Sequence, residues 1–432
     1  MPASSSLSSS SAAPDAGPPP EAVAPGLFPL LGSSLELGFA DLTPLDPRLQ
    51  DAQVVGIGES VHTTAGQHHL RLRLLRYLIE RHGFRAIALE GNWGPIHDVM
   101  EPYVQTCTGS AEDAAKALHS IWWDVTLPPF LTWLCTWNQA HPDARVHVYG
   151  FDIRQPWSDL PAIRAFLTEH APDVATSLSD GMMTCLGADF PNEMAFFQDA
   201  TVRSYYGRSP MPEPAHTACQ GGATALLAYL GEHQSALVTA SSADEVEVLR
   251  LRVVGMAAFD QTIFHLSHAQ DTAAVGTRDP AMFEIYRTLQ RLRFAGLKTV
   301  LWAHNDHVLR HADEVTGSVW EGVQSLGTSI SDDVGSAYTV VGQISYQTRL
   351  NWFDGPTALP TPASTSLEKW LADLAPDAMA VDLHVAMDGD PPVINPATYD
   401  VGFLTLTPSH HFDVILWQRV STAVTYFADP GF

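Results

Sequence analysis

A carboxylate and an imidazole stand three residues apart, as Glu59 and His62, at the end of the stretch Val54-Val55-Gly56-Ile57-Gly58-Glu59-Ser60-Val61-His62. A histidine has an unperturbed pKa of about 6.5, so a neighbouring carboxylate can hold it as a base near neutrality and stabilise the imidazolium formed when it takes a proton. The stretch Leu301-Trp302-Ala303-His304-Asn305-Asp306-His307 repeats the pattern, an apolar run followed by a polar cluster. Glu90 closes a third apolar run, Ala86–Glu90, and Asp152 directly follows a fourth, Arg145–Phe151. Glu59 or Glu90 could orient the His62 ring. The other carboxylate, or His304 and His307, could position a water or supply a proton to a leaving group. Arg71 and Arg73 follow shortly after. One would face the same crevice and stabilise an oxyanion or neutralise the carboxylates, and the other would lie on a solvated helix face.

These groups need a scaffold that brings them to one place. Val54–Gly58, Ala86–Glu90, Arg145–Phe151 and Thr299–Ala303 are short apolar runs of strand length. Ala65 to His82 has leucines at helical spacing (Leu70, Leu74, Leu75, Leu78) and Gly83 as a stop. Strand, helix and strand in succession imply a parallel sheet. The expected fold is therefore α/β, a three-layer sandwich around a mostly parallel central sheet. In such sheets the loops at the carboxyl ends of the strands form the ligand crevice. A strand-terminal carboxylate is often only a helix cap, and a lone histidine is often a core residue. Four such ends on one sheet make an active site the better explanation.

The periodicity also predicts helices over Asp98–Cys107, Glu112–His119 and Ile121–Asn138. The last is rich in tryptophan and is read as packing on the sheet in preference to forming a ligand wall. From about 157 to 271 the pattern changes to long helices, among them Leu160–His170, Met194–Tyr205 and Ala243–His268, with a polar, Pro- and Gly-containing section at Arg208–Gly222. This is read as a helical insertion, and Arg278–Phe294 as a further helix. Ala337–Ile344 and Phe412–Trp417 are expected strands, Leu367–Ala375 a helix, and Asp354–Ser364 a surface loop. Residues 1–25, rich in Ser, Ala and Pro, are expected to be a disordered tail without signal-peptide features, and 26–432 a single catalytic domain.

Composition limits the partners. With 45% apolar and 16% charged residues the chain is globular. Its 23 Lys+Arg against 48 Asp+Glu, a net charge of −25, argue against a surface that tracks nucleic-acid phosphates. No run approaches the roughly 18 apolar residues of a membrane span. Cys107, Cys135, Cys185 and Cys219 are scattered, form no CxxC pair, and are read as buried or idle thiols in a reducing cytoplasm. No G-x-S-x-G elbow stands at a strand–helix turn, and no cysteine stands at a strand end, so serine and cysteine nucleophiles are set aside. Glu59, His62, Glu90, His304 and His307 are all possible metal ligands. The Glu-x-x-His order, however, lacks the second His of a zincin helix. Water activated directly by His and Glu fits best, with no metal and no cofactor.

Several stretches resemble the erythromycin esterase family: Gly58-Glu59-Ser60-Val61-His62, Arg71-Leu72-Arg73, Gly83 to Glu90, Tyr149-Gly150-Phe151-Asp152, Arg278-Asp279-x-x-Met282 and Trp302 to His307. The resemblance implies an α/β domain with a helical lobe and metal-independent water activation that opens a macrolide lactone. By position in the matching motifs, His62 would be the general base, Glu59 and Glu90 its carboxylate partners, and Arg71, His304 and His307 the rest of the catalytic set. Arg73, Asn92, Trp93, Trp122, Asp152 and Asn305 are expected to contact the substrate, a small natural product or macrolide. The chain departs from the family pattern at Thr63, where a Gly is usual, at His68-His69, and at Ile285, where Asn is frequent. The expected function is a hydrolase of lactones or carboxylic esters. The alternatives are a lyase, cyclase or isomerase using the same acid–base pair, a metal-dependent hydrolase, and a non-catalytic binding protein on the same scaffold.

Overall fold

Period-two alternation along the short apolar runs builds the sheet and assigns its faces. The computed structural model describes residues 18–429, apart from 155, 353–354, 365, 375, 388–396, 399–401 and 404–405. Its strands are β1 (Leu27–Pro29), β2 (Val54–Ile57), β3 (Ala86–Asn92), β4 (His147–Asp152), β5 (Thr299–Trp302), β6 (Tyr338–Trp352), β7 (Gly355–Ala358), β8 (Ala378–Asp382), β9 (Ala397–Thr398), β10 (Gly402–Phe403) and β11 (Val414–Ser421). In the main sheet the order is β1-β8-β11-β6-β2-β5-β3-β4, and β7 pairs with the far end of β6. The strands from β11 to β4 in that order run parallel; β1, β7 and β8 are antiparallel to their neighbours. β9 and β10 form a separate two-stranded pair.

Val55, Ile57, Ile87, Leu89, Val300 and Trp302 point to one apolar layer. Val54, Ala86, Ala88, Leu301 and Val340 point to the other. The first layer is closed by the Ala65–His82 helix, through Leu70, Leu74, Leu75 and Leu78, and by the Leu127–Ala140 helix. The second is closed by the Asp271–Arg293 helix, through Met282, Ile285 and Leu289. This is the expected α/β sandwich. The Ala65–His82 helix ends where expected: Gly83 takes the left-handed conformation at φ 74° and its N–H bonds the Leu78 carbonyl.

The 157–271 region is helical and holds an apolar cluster of its own, in which Leu160, Ile163, Leu167, Met182, Leu226, Leu249 and Val253 are buried together. Within it the expected Pro/Gly section is in part the Glu213–Glu232 helix, because Pro214 sits in the first turn, where a missing N–H costs nothing. The expected loop at 354–364 contains β7, since Gly355 to Ala358 pair antiparallel with Arg349 to Trp352 of β6. The thiol reading is also corrected. Cys107 pairs with Cys135 and Cys185 with Cys219, with Cα atoms 5.5 and 4.6 Å apart. Partners 28 and 34 residues apart meet only through helix packing, which spacing alone does not reveal. The pairing removes the ground on which a reducing compartment was expected. Most of the expected N-terminal tail, residues 1–17, lies outside the described residues. By Val23 the chain is already bonded, its N–H donating to the Leu27 carbonyl at 2.9 Å. Among the described residues no helix is long and apolar enough to cross a membrane.

Candidate active site

The C-terminal ends of β2, β3, β4 and β5 converge, and the turn after β2 carries the acid–base pair. His62 Nδ1 lies 2.6 Å from Glu59 Oε1, and the second Glu59 oxygen accepts from Arg71 Nη2. Glu59 and Arg71 are buried, while the His62 side chain keeps 15% of its surface. Burial alone would raise the Glu59 pKa. The Arg71 charge and the His62 bond outweigh it, so the carboxyl sits below the ordinary range and stays ionised. Arg71 comes from the Ala65–His82 helix and lies between two indoles, 4.6 Å from the Trp302 ring centroid and 5.2 Å from that of Trp122. Trp122 stands edge-on to His62 at 5.0 Å.

His304 faces the same imidazole, with ring centroids 5.1 Å apart. Burial lowers its pKa against the opposing pull of Asp306, so the ring is neutral near pH 7. Its Nδ1 accepts the Asp306 N–H at 3.3 Å, which leaves the proton on Nε2 as a donor. Glu90 continues the Ala86/Ala88 face of β3, and its Oε2 accepts the His304 N–H at 2.8 Å. Its other oxygen lies 3.0 Å from Arg278 Nη2. Burial would raise the Glu90 pKa, but His307, His62 and Arg278 together hold it well below the usual range.

Arg278, from the Asp271–Arg293 helix, ties the far side together. It donates to both Asp152 oxygens, at 3.0 and 2.8 Å, to Glu90, and to His307 Nε2 at 3.0 Å. Burial opposes its charge, but Asp152 and Glu90 overcome that and raise its pKa. His307 Nδ1 meets Asp279 at 2.9 Å, and Asp279 also accepts the Leu326 N–H. Against burial, Asp279 and Glu90 raise the His307 pKa. Both His307 nitrogens are therefore occupied by fixed partners, and His304 is the histidine beside His62.

The backbone beneath is clamped by Asn305. Its N–H donates to the Glu59 carbonyl at 2.7 Å, its Nδ2 to the Gln343 carbonyl at 3.0 Å, and its Oδ1 accepts the Gln343 N–H at 3.2 Å. Gln343 Nε2 in turn reaches the Gly58 carbonyl at 2.8 Å. A Cβ on Gly58 would stand 2.8 Å from the Asn305 Cα, so only glycine lets the two strand ends approach this closely. Asn305 is thus a clasp between β2, β5 and β6.

The structure gathers Glu59, His62, Arg71, Glu90, Trp122, Asp152, His304 and His307. Four expected substrate contacts turn elsewhere, Asn305 among them as that buried clasp. Arg73 is buried against Asp41 and the carbonyls of Gly32 and Gly38, because a step of two along a helix points it about 200° away from Arg71. Asn92 caps the turn at Trp93, accepting the Gly94 N–H at 2.9 Å. Trp93 stacks on His97 at 4.9 Å and borders a separate cavity of about 290 Å³ beside β4, with Glu101, His147 and Arg293. Sequence reasoning left Arg278 and Asp279 without a role, although both fall in a motif quoted for the resemblance. It also passed over His119, a largely covered ring whose pKa is held well below the ordinary value by burial first and then by the Arg154 and His62 charges. His119, in the segment between β3 and β4, carries no strand-end signal, whereas Arg154 follows β4 by two residues and could have been found that way.

Comparison with solved structures places this architecture first by fold. A Bacillus cereus protein superposes with a TM-score of 0.74 at 18% identity, over 93% of this chain and 97% of that one. A variant of the erythromycin esterase EreC in its open conformation gives 0.72 at 18%, over 90% and 96%. A succinoglycan biosynthesis protein gives 0.72 at 16%, over 92% and 95%. At such identities the likeness is one of fold: a mostly parallel α/β sheet with many helices. The chain belongs to the erythromycin esterase family, whose sequence model matches residues 79–419. Erythromycin esterase type I of Escherichia coli is 44% identical over 55 residues, a match spanning 13% of this chain and 14% of that protein. The family match begins after Glu59, His62 and Arg71, so their place in the site rests on the geometry above.

Proposed function

We propose that the protein is a hydrolase that opens a lactone or carboxylic ester of a macrolide or similar natural product with water deprotonated by His62. The observation that carries this reading is the His62–Glu59–Arg71 relay opposite a neutral His304, at adjacent parallel strand ends. Glu59 holds the Nδ1 proton and leaves Nε2 to accept one from water. The imidazolium that forms is stabilised by a carboxylate that Arg71 keeps ionised. His304 Nε2–H can donate to the developing oxyanion or to the leaving alkoxide. Arg71 and Arg278 already neutralise the buried carboxylates, so an added cation would have to displace a fixed guanidinium. This supports metal-free water activation.

Chelator-treated protein incubated with macrolides and simpler lactones, followed by mass spectrometry, tests the reading. A gain of one water is expected. Loss of water, or unchanged mass with shifted retention, would replace it with a lyase or isomerase. Activity lost on chelation and restored by zinc would overturn the metal-free step. His62→Gln should lower kcat by roughly 10²–10⁴-fold with the fold intact. Ser60→Ala should keep much of the activity, because no serine nucleophile is used.

A further inference from the structure

Away from the active site, two segments about a hundred residues apart in sequence bring His311, Glu314 and His410 together at the surface. His410 Nε2 lies 2.9 Å from Glu314 Oε2, and His311 Nδ1 3.8 Å from Glu314 Oε1. One ligand atom from each lies within 4.8 Å of the others, and no other trio of His, Cys, Asp and Glu among the described residues does so. We propose that His311, Glu314 and His410 form a binding site for one borderline divalent transition cation, Zn²⁺ or Ni²⁺, that cross-links these two segments.

The donor set is right for such an ion. Two imidazoles and one carboxylate suit zinc or nickel, whereas calcium and magnesium call for oxygen ligands. The side chains keep 39%, 56% and 44% of their surface, which leaves room for water in the remaining coordination positions. The frame beneath is fixed. The Arg310 N–H donates to the His411 carbonyl at 3.2 Å, and His411 Nδ1 returns a bond to the Arg310 carbonyl at 2.7 Å. The Arg310 guanidinium also pairs with Asp413. His311 and His410, one residue along on each segment, are thereby held side by side, with rings stacked at 4.3 Å and 12°. His311 takes the left-handed conformation at φ 53°, uncommon for a residue with a side chain. Cation entry requires the exposed rings to splay so that one nitrogen of each faces the Glu314 carboxylate.

Isothermal titration of the chelator-treated full chain with zinc chloride, and separately with nickel chloride, reads the site directly. One ion per chain is expected, with affinity weakened about tenfold or more in His410→Ala, His311→Ala and Glu314→Gln. Turnover should be unchanged in all three, because none touches the catalytic set. Should either alanine variant fail to fold, Glu314→Gln, nearly isosteric and exposed, decides alone. The proposal is overturned if the parent chain takes up neither ion, or if uptake survives these substitutions and the ion therefore sits elsewhere. Ion uptake and esterase turnover are separate readouts, so failure of one leaves the other standing.

Discussion

Arg278 has the most to hold in the site. It satisfies Glu90, Asp152 and His307 at once, and all of these are at least nine-tenths buried. Removing one partner from a buried ionic network leaves uncompensated charge and costs about 3–5 kcal/mol. Arg278→Met should therefore lower the denaturation midpoint sharply at pH 7. The Glu90 pKa is depressed, so its stabilising contribution is full above the ordinary carboxylate range and is lost as pH falls from that range towards the depressed folded value. In the variant that depression shrinks, and its stability curve should be flatter in acid than the parent's. Denaturant melts at pH 7 and pH 3 check this, and an unfolding free energy within about 0.5 kcal/mol of the parent's at pH 7 would show that the network is not needed. Residue identity alone points to Glu59, His62, Glu90 and His304, because each ends an apolar run. It could not separate His304 from His307. That difference lies in Asp279 and Arg278, which arrive from a helix far along the chain.

At the scale of elements, the turn from β2 into the Ala65–His82 helix sets the direction of His62. Thr63 occupies it at φ 62°, a strained conformation for a β-branched residue. Two bonds hold it there, from the N–H groups of Asn351 and Val424 to the Thr63 carbonyl at 3.3 and 3.0 Å. Relief of left-handed strain is worth about 1–2 kcal/mol, partly offset by the extra unfolded-state freedom of glycine. Thr63→Gly should thus raise the melting temperature slightly while His62 keeps its bond to Glu59. A drop in melting temperature would mean that the Thr side chain contributes more than its backbone costs. The parallel core strands and the Ala65–His82 helix were legible because a buried strand and an amphipathic helix write their periods into a few residues. β1, β7 and β8 were not. Leu27–Pro29 is three residues long, Gly355–Ala358 is exposed and contains a proline, and Ala378–Asp382 is a five-residue run with two alanines and a methionine, low in the β-branched residues that mark a strand. The two disulfides escaped for a related reason, since helix packing alone sets their partners.

At the scale of the whole molecule, several histidines are folded away neutral. Burial lowers His68, His97 and His411 to about 4, from an ordinary 6.5. Between those values the unfolded chain binds more protons than the folded one, so stability falls as pH falls from 6.5 towards 4. For His68, 2% exposed, the full effect is about 3 kcal/mol. The −25 charge acts the other way, because acid relieves carboxylate repulsion. The discriminating measurement is therefore the slope of melting temperature against pH from 7 to 4.5, shallower in His68→Gln than in the parent; equal slopes would remove His68 from the account. The helical lobe, finally, keeps an apolar cluster and a disulfide of its own, while the strand ends are fastened by Asn305 and Gln343. Mutational drift is thereby partitioned. Substitutions inside the lobe's own cluster can be absorbed there without touching the Asn305–Gln343 clasp. On the proposed function, substrate preference is then free to diversify faster than the chemistry, by changes confined to about a quarter of the chain.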